Sequence, residues 1–426
     1  MFTFLTKRMG IILCTLVLCL ISPLAHAQFV KGADISWQSE MIASGYQWYD
    51  DSGYSTPLHD ILKDHHMSAI RLRVWVNPAS GWNNQSDVVT KAVWAKNAGM
   101  DVMIDFHYSD TWADPGHQTP PAAWSGYNMS QMMNAVWNHT VSVLTAVKNA
   151  GVTPKWVQIG NETNDGMMWP LGKASTNGFQ NYAWLVNTGN NASKSVFPNA
   201  KTIVHLANGE NLSVLQWNLD GLASYGATYD IIGLSLYPGS SWQSTVSNYA
   251  YNIGYLSNRY GKSTMLCEVG MAASPIATSY DALYEIINQS AANGSLGVFY
   301  WEPQGYNNWA GYGKHCWQSN GQPTWALDAF VWSNGGSRVA DISEAQSAPQ
   351  IDVQVYPNPV QNQLKIDIGS HESGEATVYS LEGQALARLQ LSSGDNAIDM
   401  SAWQTGMYLL TVRSGEEEIQ TKVMKE

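Results

Sequence analysis

The chain has 426 residues, a net charge of −12 and only 13% charged residues. That length exceeds one ordinary domain, and the acidic, charge-poor balance excludes nucleic acid and anionic membrane surfaces as partners. The chain also holds 19 Trp and 21 Tyr; aromatic faces in such number suit a protein that stacks the C–H faces of sugars on its rings.

The first stretch reads as an export signal rather than fold material. Lys7-Arg8 precede an apolar run from Ile11 to Leu24, and Ala25-His26-Ala27 follow, so residues 1–27 form a signal peptide cut before Gln28. A membrane anchor is the competing reading, but the run is short for a span. Cys14 and Cys19 leave with it. Cys267 and Cys316 remain on an oxidising route, where distance decides whether they pair.

From Phe29 to Ser333 strand-like and helix-like segments alternate. The strand-like runs are Val30–Ser36, Ala69–Val76, Asp101–Tyr108, Trp156–Asn161, Thr202–Ala207, Ile231–Tyr237, Thr264–Glu268 and Gly297–Trp301. Segments with apolar 3.6-residue spacing lie between most of them, such as Val88–Asn97, Met132–Lys148 and Tyr280–Ala292. Asn97-Ala98-Gly99 and Asn149-Ala150-Gly151 are helix C-cap signals. Eight such units predict a (β/α)8 barrel over residues 28–335. An open doubly wound sheet is less apt, since no glycine-rich phosphate fingerprint follows a strand.

A barrel delivers every strand's C-terminal end to one face. Two strings then stand out: Gly160-Asn161-Glu162-Thr163 after the fourth run, and Cys267-Glu268-Val269-Gly270 at the seventh. Facing carboxylates are the equipment for cleaving a glycosidic bond, about 5–5.5 Å apart in retaining enzymes. Glu162 is expected as acid/base and Glu268 as nucleophile, in environments that push their pKa values apart. Asn161 is placed to bond a sugar hydroxyl. Arg71 and Arg73 share one side of the second strand, and an Arg beside Glu268 would keep it ionised. Asp105 and His107 end the third strand, His205 the fifth, Tyr237 the sixth and Trp301 the eighth. Tyr237 is expected to bond the nucleophile, Trp301 to lie under the sugar, and His107 and His205 to bind hydroxyls or tune Glu162.

These strings resemble the clan A glycoside hydrolases. Lys31-Gly32-Ala33-Asp34-Ile35-Ser36, Ile70-Arg71-Leu72-Arg73-Val74-Trp75-Val76-Asn77-Pro78 and the run from Ile104 through Asp105, His107 and Trp112 to Gly116 resemble glycoside hydrolase family 53, the endo-β-1,4-galactanases. The resemblance implies retaining hydrolysis of β-1,4-galactan, with Glu162 in the acid/base segment and Glu268 at the nucleophile position. Asn161, Arg71, Arg73, Asp105, His107, Trp112, His205, Tyr237 and Trp301 are the expected substrate contacts. Mannan or glucan hydrolysis and non-catalytic glycan binding are the rival readings. The stretch Gln304 to Ala326 lacks the run of oxygen ligands that calcium prefers, so no metal or other cofactor is expected.

Residues 336–350 read as a polar linker. Beyond it, Gln354–Tyr356, Gln363–Ile368, Ala376–Tyr379, Ala385–Leu391, Met407–Val412 and Ile419–Met424 alternate between turn residues, predicting a small all-β sandwich over residues 351–426. Val355-Tyr356-Pro357-Asn358-Pro359-Val360 and Trp403-Gln404-Thr405-Gly406-Met407-Tyr408 resemble type IX secretion sorting domains. That resemblance implies secretion machinery as a partner and delivery outside the cell or onto its surface. A carbohydrate-binding module is the other reading of Trp403. A monomer acting on a polysaccharide is expected.

Overall fold

Apolar, β-branched runs in the first part of the chain close into a parallel barrel. The computed structural model describes residues 29–333, 353–368, 373–380, 385–393, 396–414 and 417–425; the expected leader and linker lie outside the described residues. The chain divides into two units, Met1–Ser337 and Arg338–Glu426.

In the first unit the strands are β1 (Val30–Asp34), β2 (Ala69–Val74), β3 (Asp101–Phe106), β4 (Trp156–Ile159), β5 (Lys201–Leu206), β6 (Ile231–Leu236), β7 (Ser263–Val269) and β8 (Gly297–Trp301). They pair in the order β1-β8-β7-β6-β5-β4-β3-β2, and the ring is closed. The larger outer helices are α1 (Gln38–Ala43), α2 (Leu58–Asp64), α3 (Gln85–Asn97), α4 (Met129–Asn149), α5 (Phe179–Val196), α6 (Leu212–Ser224), α7 (Trp242–Tyr260) and α8 (Ile276–Ala292). α4 shows the local logic. Asn128 and Gln131 form a reciprocal capping box at its start, and Met132, Val136, Val143, Leu144 and Val147 make its buried stripe. A two-residue hairpin, Gly166–Met167 with Gly172–Lys173, follows β4 and was not anticipated.

The barrel interior is layered. Its floor is apolar: Val30, Ala69, Met103, Trp156, Ile203, Ile231, Met265, Cys267 and Phe299 form one cluster. Two residues further along several strands the inward positions turn polar: Arg71, Asp105, Gln158 and His205, all fully buried. On β7 the strict alternation breaks. Leu234 pairs with Leu266 but Ser235 pairs with Glu268, so one residue, Cys267, is bulged out of register. The bulge keeps Cys267 in the apolar floor and still turns Glu268 toward the mouth. Gly233 makes the room: a Cβ there would meet Ile203 Cγ2 at 2.6 Å and Cys267 Sγ at 2.8 Å. Cys267 and Cys316 are both buried and unpaired.

In the second unit, β9 (Gln354–Tyr356), β10 (Gln363–Asp367) and β13 (Asn396–Asp399) form one antiparallel sheet. β11 (Ser373–Tyr379), β12 (Ala385–Ser392), β14 (Gly406–Ser414) and β15 (Glu417–Lys425) form another. Leu364 and Ile366 of the first sheet share one core with Val378, Leu410 and Val412 of the second. The strand at Asn396–Asp399 was not anticipated.

Candidate active site

The chain leaves four barrel strands through left-handed residues that are not glycine: Tyr108 (φ 48°) after β3, Glu162 (φ 46°) after β4, Asn208 (φ 60°) after β5 and Glu302 (φ 49°) after β8. Such conformations persist only where the surroundings over-determine them, and they cluster at functional sites. Here they ring one end of the barrel.

That end opens into a pocket of about 400 Å3 whose wall includes Glu162, Glu268, Asn161, Tyr237, Trp112 and Trp301. Arg71 organises the floor beneath it. Its guanidinium donates to Asp34 Oδ2 (2.7 Å), Gln158 Oε1 (3.1 Å) and Asn161 Oδ1 (2.8 Å), and pairs with Asp105 Oδ2 and Glu268 Oε1, both at 2.9 Å. Tyr237 donates its hydroxyl to the other oxygen of Glu268 at 2.8 Å. Glu268 is thus held by a cation and a neutral donor at once.

The electrostatics order the two glutamates. Burial, and then the neighbouring charge of Glu268, push Glu162 up to about 8. Burial also pushes Glu268 up to about 7, opposed by Arg71 and by the Tyr237 hydroxyl. The expectation that an adjacent Arg would simply hold Glu268 ionised therefore needs adjusting. One guanidinium serves three carboxylates, Asp34, Asp105 and Glu268, so its compensation of any one is divided. The lone shared proton still belongs to Glu162, the member with no cation in contact.

Arg71, Arg73, Asp105 and His205, expected among the substrate contacts, are each fully buried and absent from the pocket wall. Strand parity put them on the right side but not at the right height. They lie behind it. Arg73 pairs with Glu302 at 3.3 Å, and its guanidinium lies 4.2 Å from the ring centre of Trp112 and 4.8 Å from that of Trp75. It supports the aromatic wall. His205 bridges Asn161 Oδ1 through Nδ1 and Ser235 Oγ through Nε2, both at 2.8 Å. Burial and the charge of Arg71 hold it well below its usual pKa, hence neutral. Ser235 lines the pocket with Glu162 and its hydroxyl acts to lower the acid's pKa, so a single hydroxyl stands between His205 and the acid.

His107 does line the pocket, but its ring is committed. Nδ1 accepts from the Ala113 N–H (3.2 Å) and the Trp75 indole N–H (3.3 Å), which leaves the proton on Nε2, facing Asp105 Oδ2 at 3.0 Å. Asn161 Oδ1 is likewise engaged, while Nδ2 donates to Ala113 O at 2.9 Å. Trp301 is braced by Trp37 (5.0 Å between ring centres), Trp112 (5.8 Å) and Tyr312 (4.7 Å).

Sequence reasoning passed over Ser235, Gln158, Trp37 and Glu210. Gln158 carried a signal: it is a lone polar residue at inward parity in an apolar run. Glu210 lines the pocket from the loop after β5, where no periodicity marks it. Among the described residues no group of three or more His, Cys, Asp or Glu side chains is arranged to hold a metal ion, and no helix is long and apolar enough to cross a membrane.

Comparison with known proteins adds to this geometry. Residues 30–279 match the model of Glycosyl hydrolase family 53, and residues 354–426 match that of the Secretion system C-terminal sorting domain. A probable arabinogalactan endo-β-1,4-galactanase A of Neosartorya fischeri is 34% identical over 72% of this chain and 92% of its own length. The arabinogalactan endo-β-1,4-galactanase of Humicola insolens is 34% identical over 67% of this chain and 92% of its own. A solved fungal β-1,4-galactanase superposes with a TM-score of 0.66 at 30% identity, covering 71% of this chain and 98% of that one.

Proposed function

The chain belongs to glycosyl hydrolase family 53, and on that footing we propose that it is an arabinogalactan endo-β-1,4-galactanase acting on the galactan side chains of pectin. The observation that carries this reading is the Glu162–Glu268 pair at the ends of β4 and β7, both lining one pocket. Glu162 protonates the glycosidic oxygen while the Glu268 carboxylate attacks the anomeric carbon and expels the leaving alcohol. Arg71 and Tyr237 hold Glu268 in line for that attack. A galactosyl–enzyme ester results. Glu162, now ionised, takes a proton from water, which displaces Glu268 and regenerates the enzyme with retained configuration.

Trp301 forms the platform under the sugar at the cleavage point, Trp112 extends it, and the free Nδ2 hydrogen of Asn161 is placed for a sugar hydroxyl. The chain is proposed to act as a monomer. The C-terminal unit carries the chain across the outer membrane by the type IX route, for release or retention at the outer cell surface. Reducing-sugar release from β-1,4-galactan, β-mannan and β-glucan tests the reading. Galactan is expected to be cleaved fastest, and preference for either other polymer overturns it.

A further inference from the structure

A second cavity, of about 760 Å3, lies between α1, the segment from Gly45 to Asp60 and the end of α3. That volume falls within the roughly 300–1,000 Å3 of small-molecule sites, and the cavity shares no lining residue with the carboxylate pocket. Two of its side chains are more than nine-tenths buried and still end in a polar atom without a partner: Gln38 (5% exposed) at Oε1 and His59 (6% exposed) at Nε2. Buried polar atoms are rarely left so, and each calls for an explanation. Burial holds His59 down to about 4, so its ring is uncharged at neutral pH.

The rest of the lining says what class of ligand fits. Tyr46, Trp48 and Trp94 supply aromatic surface, Asp60 is the single carboxylate, and no Lys or Arg is present. An anion would find no counter-charge. A hydroxyl-bearing neutral ligand would find rings to stack on and, in the wall, the uncharged amides and hydroxyls of Gln38, Gln47, Ser55 and Thr56 to bond. The cavity also shares a frame with the cleft. The Trp48 indole N–H donates to Gln304 O at 3.2 Å, in the loop after β8. Tyr46 packs edge-on against Tyr306 (4.8 Å) and Trp309 (5.0 Å). Trp37, the neighbour of Gln38, packs on Trp301.

We propose that this cavity is a second, non-catalytic site for a neutral β-1,4-galactan segment, which keeps polymer beside the cleft. The choice of galactan rests on the galactanase reading above. The test uses the full chain carrying Glu162→Gln and Glu268→Gln, titrated with galactotetraose by calorimetry. Two sites per chain are expected, and Trp94→Ala with Gln38→Met should leave one. In the active chain the same two substitutions should raise KM on polymeric galactan several-fold, leave kcat in place, and leave cleavage of a short aryl galactoside untouched. Polygalacturonate, the charged counterpart, should not compete. If Trp94→Ala unfolds the chain, as its melting curve would reveal, Gln38→Met alone, which keeps the volume and removes the acceptor, should weaken the second site. A one-site isotherm in the parent, or two sites indifferent to these substitutions, overturns the proposal. Galactan hydrolysis by the wild type is scored separately, so a chain that cleaves galactan but binds it once refutes the second site and spares the activity.

Discussion

Tyr237→Phe is the sharpest probe of the active-site reading. It removes one hydroxyl, the donor to Glu268 at 2.8 Å, and leaves Arg71 in contact with the other carboxylate oxygen. The hydroxyl favours the ionised form of Glu268, so its loss raises the pKa. A hydrogen bond to a charged group contributes about 1.5–3 kcal/mol, and one pKa unit corresponds to about 1.36 kcal/mol, so the rise is about 1–2 units. Burial and the charge of Glu268 hold Glu162 the higher of the two, so the shared proton rests on Glu162. The substitution erodes that preference. Two consequences follow for kcat/KM against pH. The acid limb, which reports ionisation of Glu268, moves up. The peak itself falls, because less of the singly protonated pair carries its proton on the acid. The assay is kcat/KM on a soluble galacto-oligosaccharide across pH 5–10, the pH range being set by about 2 units either side of the values of the two glutamates. An acid limb that stays in place, or moves down, would refute the assigned role of Tyr237 and the order of the two glutamates.

Glu162→Ala and Glu268→Ala should each lower galactan turnover by several orders of magnitude in an end-point reducing-sugar assay, and near-normal activity in either sinks the pair assignment. Arg71→Met strands Asp34, Asp105 and Glu268 without their cation and should destabilise the first unit by about 3–5 kcal/mol in urea melts; a loss within about 1 kcal/mol would mean the cluster protonates instead. Gly233→Ala should cost about 1–3 kcal/mol by overpacking against Ile203 and Cys267, and, because Cys267 adjoins Glu268, it should lower kcat along with Tm. Burial pushes the Cys267 and Cys316 thiols up to about 12, so both should stay unlabelled by a maleimide in the native state and label fully in denaturant, read residue by residue in a mass spectrometer.

The barrel strands were legible because each is a short apolar run bounded by turn residues, and their observed starts lie within one residue of those expected. The carboxylates were legible because Glu162 and Glu268 sit where such runs end. What stayed hidden was height. Period-two alternation assigns Arg71 and Arg73 to one side of β2, yet one meets Glu268 and the other Glu302, a layer apart. The bulge at Cys267 was equally invisible: counting in twos would turn either Cys267 or Glu268 inward, and the fold turns both. Ser235 looked like a strand residue with no task until β5 and β6 brought it between His205 and Glu162. Asn396–Asp399, only four residues long, offered too little alternation to separate a strand from a turn.

The loop after β3 bears on how such enzymes change their substrates. It is fastened to the acid's own segment at several points, since Asn161 Nδ2 donates to Ala113 O and Gln118 Nε2 donates to Asn161 O at 2.8 Å and to Glu162 O at 3.4 Å, while Trp112 rests on Arg73 of β2. A loop tied in this way cannot be exchanged for a relative's as a cassette. Replacing it would slacken the backbone that aims Glu162, so a transplant meant to alter which polymer is gripped would also blunt the bond-breaking step. Changes meant to give new specificity belong on single side chains of the wall, such as Glu210, which lines the pocket, where a sugar can be met without loosening the machinery that cuts it.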